Sequence, residues 1–97
     1  MKRTRDAKTA ASPRKRATFS LDAPHAREVS VAGTFNGWDP ARDFLKRKEE
    51  GNWVLVKYLS PGAHEYRFVV DGIWTTDPLC VTRCRNIFGG ENSVIEI

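Results

Sequence analysis

The stretch "WVLVKYLSPGAHEYRFVVDG", residues 53–72, decides the fold. It holds two runs rich in β-forming residues, Trp53–Leu59 and Ala63–Val70. Ser-Pro-Gly separates them and Asp-Gly closes the second, and these residue types make turns. In the second run Tyr66, Phe68 and Val70 fall on one face, and Arg67, Val69 and Asp71 on the other. That period of two excludes an amphipathic helix, whose apolar residues recur every three or four positions. The stretch therefore reads as two antiparallel strands joined by a short turn.

The pattern extends outward on both sides. "TFSL" puts Phe19 and Leu21 on one face, and "REVSVAG" does the same with Val29 and Val31. A short strand is expected around Phe44 to Lys48. "EEGN" then reads as a hairpin turn in which Gly51 supplies a positive φ. Downstream, a short strand holding Trp74 lies between Asp-Gly and Asp-Pro, and "SVIEI" ends the chain. No segment carries helical periodicity. Short strands with turn signals roughly every 8–12 residues imply an all-β protein. We expect an immunoglobulin-like antiparallel β-sandwich of about seven short strands. The Cys–Trp–Cys spacing of antibody domains is absent, so an antibody domain is excluded.

The charge is not spread over this fold. Of 97 residues, the first 16 carry seven Lys or Arg and one acid, a net of +6, while the remainder carries nine basic and eleven acidic groups, a net of −2. Residues 1–17 have no apolar periodicity and read as a basic disordered tail, leaving 18–97 as the folded module. Basicity confined to a tail disfavours nucleic acid as the partner of the fold. No apolar run approaches the roughly 18 residues of a membrane helix, and no membrane partner is expected. The N-terminus lacks the apolar stretch of a secretory signal, so a cytoplasmic protein and a monomer are expected.

Catalytic and metal constellations are missing from the pattern. Cys80 and Cys84 cannot complete a four-ligand zinc site, and no His lies near them in sequence. His25 and His64 are isolated, and neither a nucleophile motif nor a phosphate loop is present. The acids sit in turns and alternate with Lys and Arg, unlike the facing carboxyl pair of a glycosidase. We expect no enzyme activity, no cofactor and no metal.

Three tryptophans remain. Trp53 opens an apolar strand and belongs in the core. Trp38, in "GTFNGWDP", and Trp74, in "DGIWTTDP", lie in turns, where an indole has the largest apolar surface to account for. Two uses are open to them. They can fold back over the ends of the sandwich, or they can offer flat faces to the C–H face of a sugar ring.

The segments "SVAGTFNGWDP", "GNWVLVKYLSPGAHEYRFVVDGIWTTDP" and "ENSVIEI" resemble the family 48 carbohydrate-binding modules. These include the glycogen-binding domain of AMP-activated kinase β subunits and the N-terminal modules of isoamylases and branching enzymes. The resemblance spans residues 27–97 and implies a β-sandwich that binds α-1,4-linked glucans such as glycogen or maltooligosaccharides. It makes Trp38 and Trp74 the stacking pair. Arg67 stands where kinase-type modules carry a sugar-contacting Lys. Asn92 matches an Asn that hydrogen-bonds sugar hydroxyls, and Phe88 matches an apolar residue that reaches into the glucan coil. Gly90 replaces a Thr, which implies the loss of one hydroxyl contact. The expected function is therefore a non-catalytic glucan-binding module that targets or regulates a glycogen-metabolising enzyme of the α-amylase superfamily or a kinase. The rival expectation is a protein-interaction sandwich that binds no sugar and docks through the basic tail.

Overall fold

The computed structural model describes residues 13–80, the backbone of 83–85, and 90–97. Among the described residues, eight strands form two antiparallel sheets: β1 (Lys15–Asp22), β2 (Val29–Gly33), β3 (Lys46–Arg47), β4 (Asn52–Leu59), β5 (Ala63–Val70), β6 (Ile73–Thr75), β7 (Arg83–Arg85) and β8 (Glu91–Glu96). One sheet has the order β1-β4-β3. The other runs β2-β5-β8-β7, with β6 also pairing β5. Among the described residues the only helical segments are 3-10 turns at Thr34–Asn36 and Glu49–Gly51. The all-β sandwich expected from period-two patterning is the architecture found.

The inward rows meet between the sheets. Ala17, Phe19 and Leu21 of β1 and Trp53 and Leu59 of β4 face Val29 and Val31 of β2 and Tyr66 and Phe68 of β5. The Phe19 ring crosses the gap to meet the Tyr66 ring edge-on at a centroid distance of 5.0 Å. Phe19 also touches Phe35 at 5.5 Å, and Tyr66 touches Phe68 at 5.7 Å. Such tilted and edge-on pairs align the positive ring edge of one partner with the negative face of the other.

Three features differ from the sequence expectation. First, β1 begins at Lys15, inside the segment read as a tail: Lys15, Arg16 and Ala17 pair with Leu59, Tyr58 and Lys57. Ladder pairing needs backbone rather than apolar side chains. Ala17, 4% exposed, also continues the period-two row of Phe19 and Leu21. Residues 1–12 of the expected tail lie outside the described residues. Second, β7 arises in a stretch read as loop, beside β8. Third, β2 is buried on both faces rather than one.

Two close approaches fix the sandwich ends. Gly51 has φ 79°, as the hairpin required, and any Cβ there would strike Pro24. Asp43 to Leu45 then runs along the free edge of β2, with Val31 N–H donating to Asp43 O and Leu45 N–H to Val29 O, both at 2.9 Å. The chain immediately continues into β3 of the other sheet, so this segment closes one side of the sandwich.

Trp53 takes the core position expected of it. It is 6% exposed, its Nε1–H donates to Ala23 O at 2.9 Å, and the Arg47 guanidinium lies 6.0 Å from its ring centroid. Trp53→Ala is expected to lower the unfolding free energy by about 3–5 kcal/mol, as for other buried aromatics, measured as the shift in the urea midpoint at constant slope.

Candidate carbohydrate-binding face

The turn after β2 is organised by Asn36. This residue is 6% exposed, and its Oδ1 accepts the Gly33 N–H at 3.0 Å. Its Nδ2 donates to Val31 O at 3.0 Å and to Asp43 Oδ2 at 2.8 Å. Asp43 in turn holds the Lys57 ammonium at 3.3 Å. Beyond Asn36 the chain reverses through Gly37 at φ 69° and Trp38 at φ 60°. The Trp38 N–H closes the turn onto Gly33 O at 2.9 Å. A left-handed conformation costs an L-residue about 1–2 kcal/mol, so the surrounding bonds hold Trp38 where its own preference would not. Its side chain is half-buried.

The second tryptophan is placed by a two-residue hairpin. Asp71 at φ 50° and Gly72 at φ 84° join β5 to β6, two successive positive φ values matching the twist of the flanking strands. Asp71 Oδ1 accepts the N–H groups of Arg27 and Glu28, each at 2.9 Å, which ties the hairpin to the start of β2. In this register Trp74 lies opposite Val69. Directly paired residues share a face, so Trp74 is on the side of β5 that carries Val69, Arg67 and Glu65, away from the core. Trp74 is 40% exposed, yet its neighbours on that outward face, Ser30, Ala32 and Val69, are all buried. The outward face is therefore covered, which is why β2 is buried on both sides.

Arg67 pairs with Ala32 on this same face and is half-buried. Its Nε is buried and, among the described residues, has no hydrogen-bond partner. One step beyond the Tyr66–Ser93 pair, Asn92 falls on the same side. Asn92 is 6% exposed, and its Nδ2 donates to Glu65 Oε1 at 3.0 Å. The register thus gathers Trp74, Arg67 and Asn92 on one sheet face. Trp38 stands at its edge, with its backbone bonded to the end of β2. Phe88 lies outside the described residues.

Beneath the face runs a buried polar strut. Tyr66 Oη donates to Asp77 Oδ2 at 2.6 Å, and the Asp77 N–H donates to Ser93 Oγ at 3.1 Å. Asp77 Oδ1 also accepts the Leu79 N–H at 2.9 Å. The three residues adjoin the outward set: Tyr66 precedes Arg67, Ser93 follows Asn92, and Asp77 lies three residues after Trp74. Asn36 is among the residues that the sequence expects to hold the Trp38 turn in place, whereas Asp71 and Asp77 were missed as positioning groups. Their signal was their place in Asx-rich turn motifs, where Asn and Asp side chains bind nearby backbone. Among the described residues no cluster of His, Cys, Asp or Glu could hold a metal ion.

Residues 18–97 match the family described as the glycogen recognition site of AMP-activated protein kinase. The chain belongs to that family. It is 39% identical over 72 residues, 74% of its length, to the protein FLOURY ENDOSPERM 6, chloroplastic, of Oryza sativa subsp. japonica. It is 38% identical over 52 residues, 54% of its length, to the 5'-AMP-activated protein kinase subunit beta-1 of Sus scrofa. It is 36% identical over 52 residues, again 54% of its length, to the 1,4-alpha-glucan branching enzyme GlgB 2 of Xanthomonas campestris pv. campestris (strain 8004). The matches cover 13%, 40% and 7% of those relatives, so the module is a part of each of them.

The strut has a pH signature. Burial first, then the hydrogen bond and charge of Asp77 and the Cys80 thiol, push the Tyr66 hydroxyl well above the ordinary tyrosine value of 10.0. The folded module therefore holds this proton more tightly than the unfolded chain does. The resulting stability is complete below the unfolded value and is lost as pH rises through it toward the folded one. Urea midpoints measured from pH 7 upward should fall above about pH 10 in the parent. In Tyr66→Phe that component of the fall should be absent.

Proposed function

We propose that the chain is a non-catalytic module that binds α-1,4-glucan, either glycogen or maltooligosaccharide, by stacking sugar rings on Trp38 and Trp74. One observation carries the reading: in a chain of the glycogen-recognition family, Trp74, Arg67 and Asn92 share one outward sheet face with Trp38 at its edge. The chemistry fits a neutral polyol. An indole covers the apolar C–H face of a pyranose, while a guanidinium and an amide meet hydroxyls around its rim. Through the glucan the module brings a glycogen-metabolising enzyme or a kinase to its substrate.

A specific observation favours a second reading, a protein-docking sandwich. The opposite outer face, on β4, exposes Val56 at 39% and Tyr58 at 56%. They are paired with Thr18 and Arg16, and Lys46 flanks the neighbouring Val54. An apolar stripe edged by cations is a surface for a protein partner. The two readings share the fold and separate on glucan binding.

Titration with maltoheptaose, followed calorimetrically and by amide chemical shifts, tests the first. Trp38→Ala and Trp74→Ala are each expected to weaken binding about ten- to hundredfold, the loss of one flat stacking partner. Trp74→Ala should leave the melting temperature nearly unchanged, because its ring is substantially exposed. If both variants bind like the parent, the docking reading replaces this one.

A further inference from the structure

Glu65 is absent from the residues that the family resemblance brings to the sugar, yet the structure puts it on the same face, two residues from Arg67 and bonded to Asn92. Its backbone N–H donates to Thr34 Oγ1 at 3.3 Å, in the turn that leads to Trp38. Its carbonyl lies so close to Gly33 that any Cβ there would collide with it. Its side chain reaches over to β8 to accept the Asn92 Nδ2–H at 3.0 Å. The register explains the reach. Glu65 is directly opposite Val94, so Asn92, two residues back, is its diagonal neighbour. A diagonal pair is within range of a long side chain.

We propose that Glu65 is a positioning residue that sets the orientation of the Asn92 amide on the glucan-binding face, and links it to the turn carrying Trp38. An asparagine amide can present either its NH2 or its oxygen after a half-turn about its terminal bond, and only its surroundings decide which. The carboxylate of Glu65 is an acceptor and nothing else, so it fixes the NH2 end toward itself. Asn92 is 6% exposed, so the second orientation would set its amide oxygen against that carboxylate where little water reaches. Glu65 thereby selects which atom of Asn92 meets the ligand without touching the ligand itself. This inference rests on the glucan-binding reading.

The test compares Glu65→Gln, Glu65→Ala, Asn92→Ala and the double variant Glu65→Ala/Asn92→Ala in the full chain. Each is titrated with maltoheptaose, and the Asn92 side-chain amide signals are recorded without sugar. Glu65→Gln keeps an acceptor for the Asn92 NH2 and should bind within about twofold of the parent. Glu65→Ala should bind about three- to tenfold more weakly, the scale of one hydrogen bond, with its melting temperature close to that of Glu65→Gln. In the Asn92→Ala background the same change should have no further effect. A Glu65→Ala variant that binds like the parent overturns the proposal. So does an equal loss with and without Asn92, which would make Glu65 a direct ligand contact. In the sugar-free spectra the Asn92 amide signals should hold in Glu65→Gln and shift in Glu65→Ala. If they stay put in Glu65→Ala, Glu65 does not hold the amide. Because this readout needs no ligand, it decides the link even if maltoheptaose fails to bind the parent and the functional reading falls.

Discussion

Tyr66 joins the core to the candidate site. Its ring stands edge-on to Phe19 from the opposite sheet and to Phe68 on its own strand. Its hydroxyl, at the far end of the same side chain, meets Asp77. A buried tyrosine must find a partner for that hydroxyl. Here the partner is a carboxylate whose own backbone is bonded to Ser93. One side chain thus closes the sandwich and pins the meeting point of β5, β6 and β8. The strands that carry Arg67, Trp74 and Asn92 outward are fastened to each other from within.

That arrangement suits recognition of a flat, neutral ligand. Weak carbohydrate contacts leave little free energy for ordering the protein at the moment of binding. The turn of Trp38 is set in advance by the three hydrogen bonds of Asn36, and the hairpin before Trp74 by the two backbone N–H groups that the Asp71 carboxylate accepts. Both tryptophans are therefore carried by backbone that is already fixed. The outward face also buries Ser30, Ala32 and Val69, so it is a packed surface rather than a solvated one. Arg67 lies in it with Nε covered.

Much of this was legible in the residues. The alternation of Tyr66, Phe68 and Val70 named the inner face of β5 because a strand has only two faces. The Asp-Gly pair at 71–72 named a turn because both residue types favour turn conformations. Trp53 read as core because it heads an apolar run. Other features were not legible. The start of β1 at Lys15 depends on backbone pairing with β4, to which the side chains of Lys15 and Arg16 give no signal. Burial of β2 on both faces depends on what the fold lays over Ala32, and strand alternation does not record that.

The sequence by itself determined the class of the protein and its family, because period-two patterning, turn chemistry and an ordered set of motifs are local properties of the chain. It also determined the turns at Trp38 and before Trp74, although Trp74 itself lies in strand β6 opposite Val69. Only the tertiary structure decided what those turns are held by and what they stand beside. Asn92 and Glu65 are 27 residues apart. Tyr66 and Asp77, and then Asp77 and Ser93, are joined only where β6 and β8 follow one another along the same side of β5. Such contacts come from register and strand order, which are set by the whole sheet at once. No local pattern of residues encodes them.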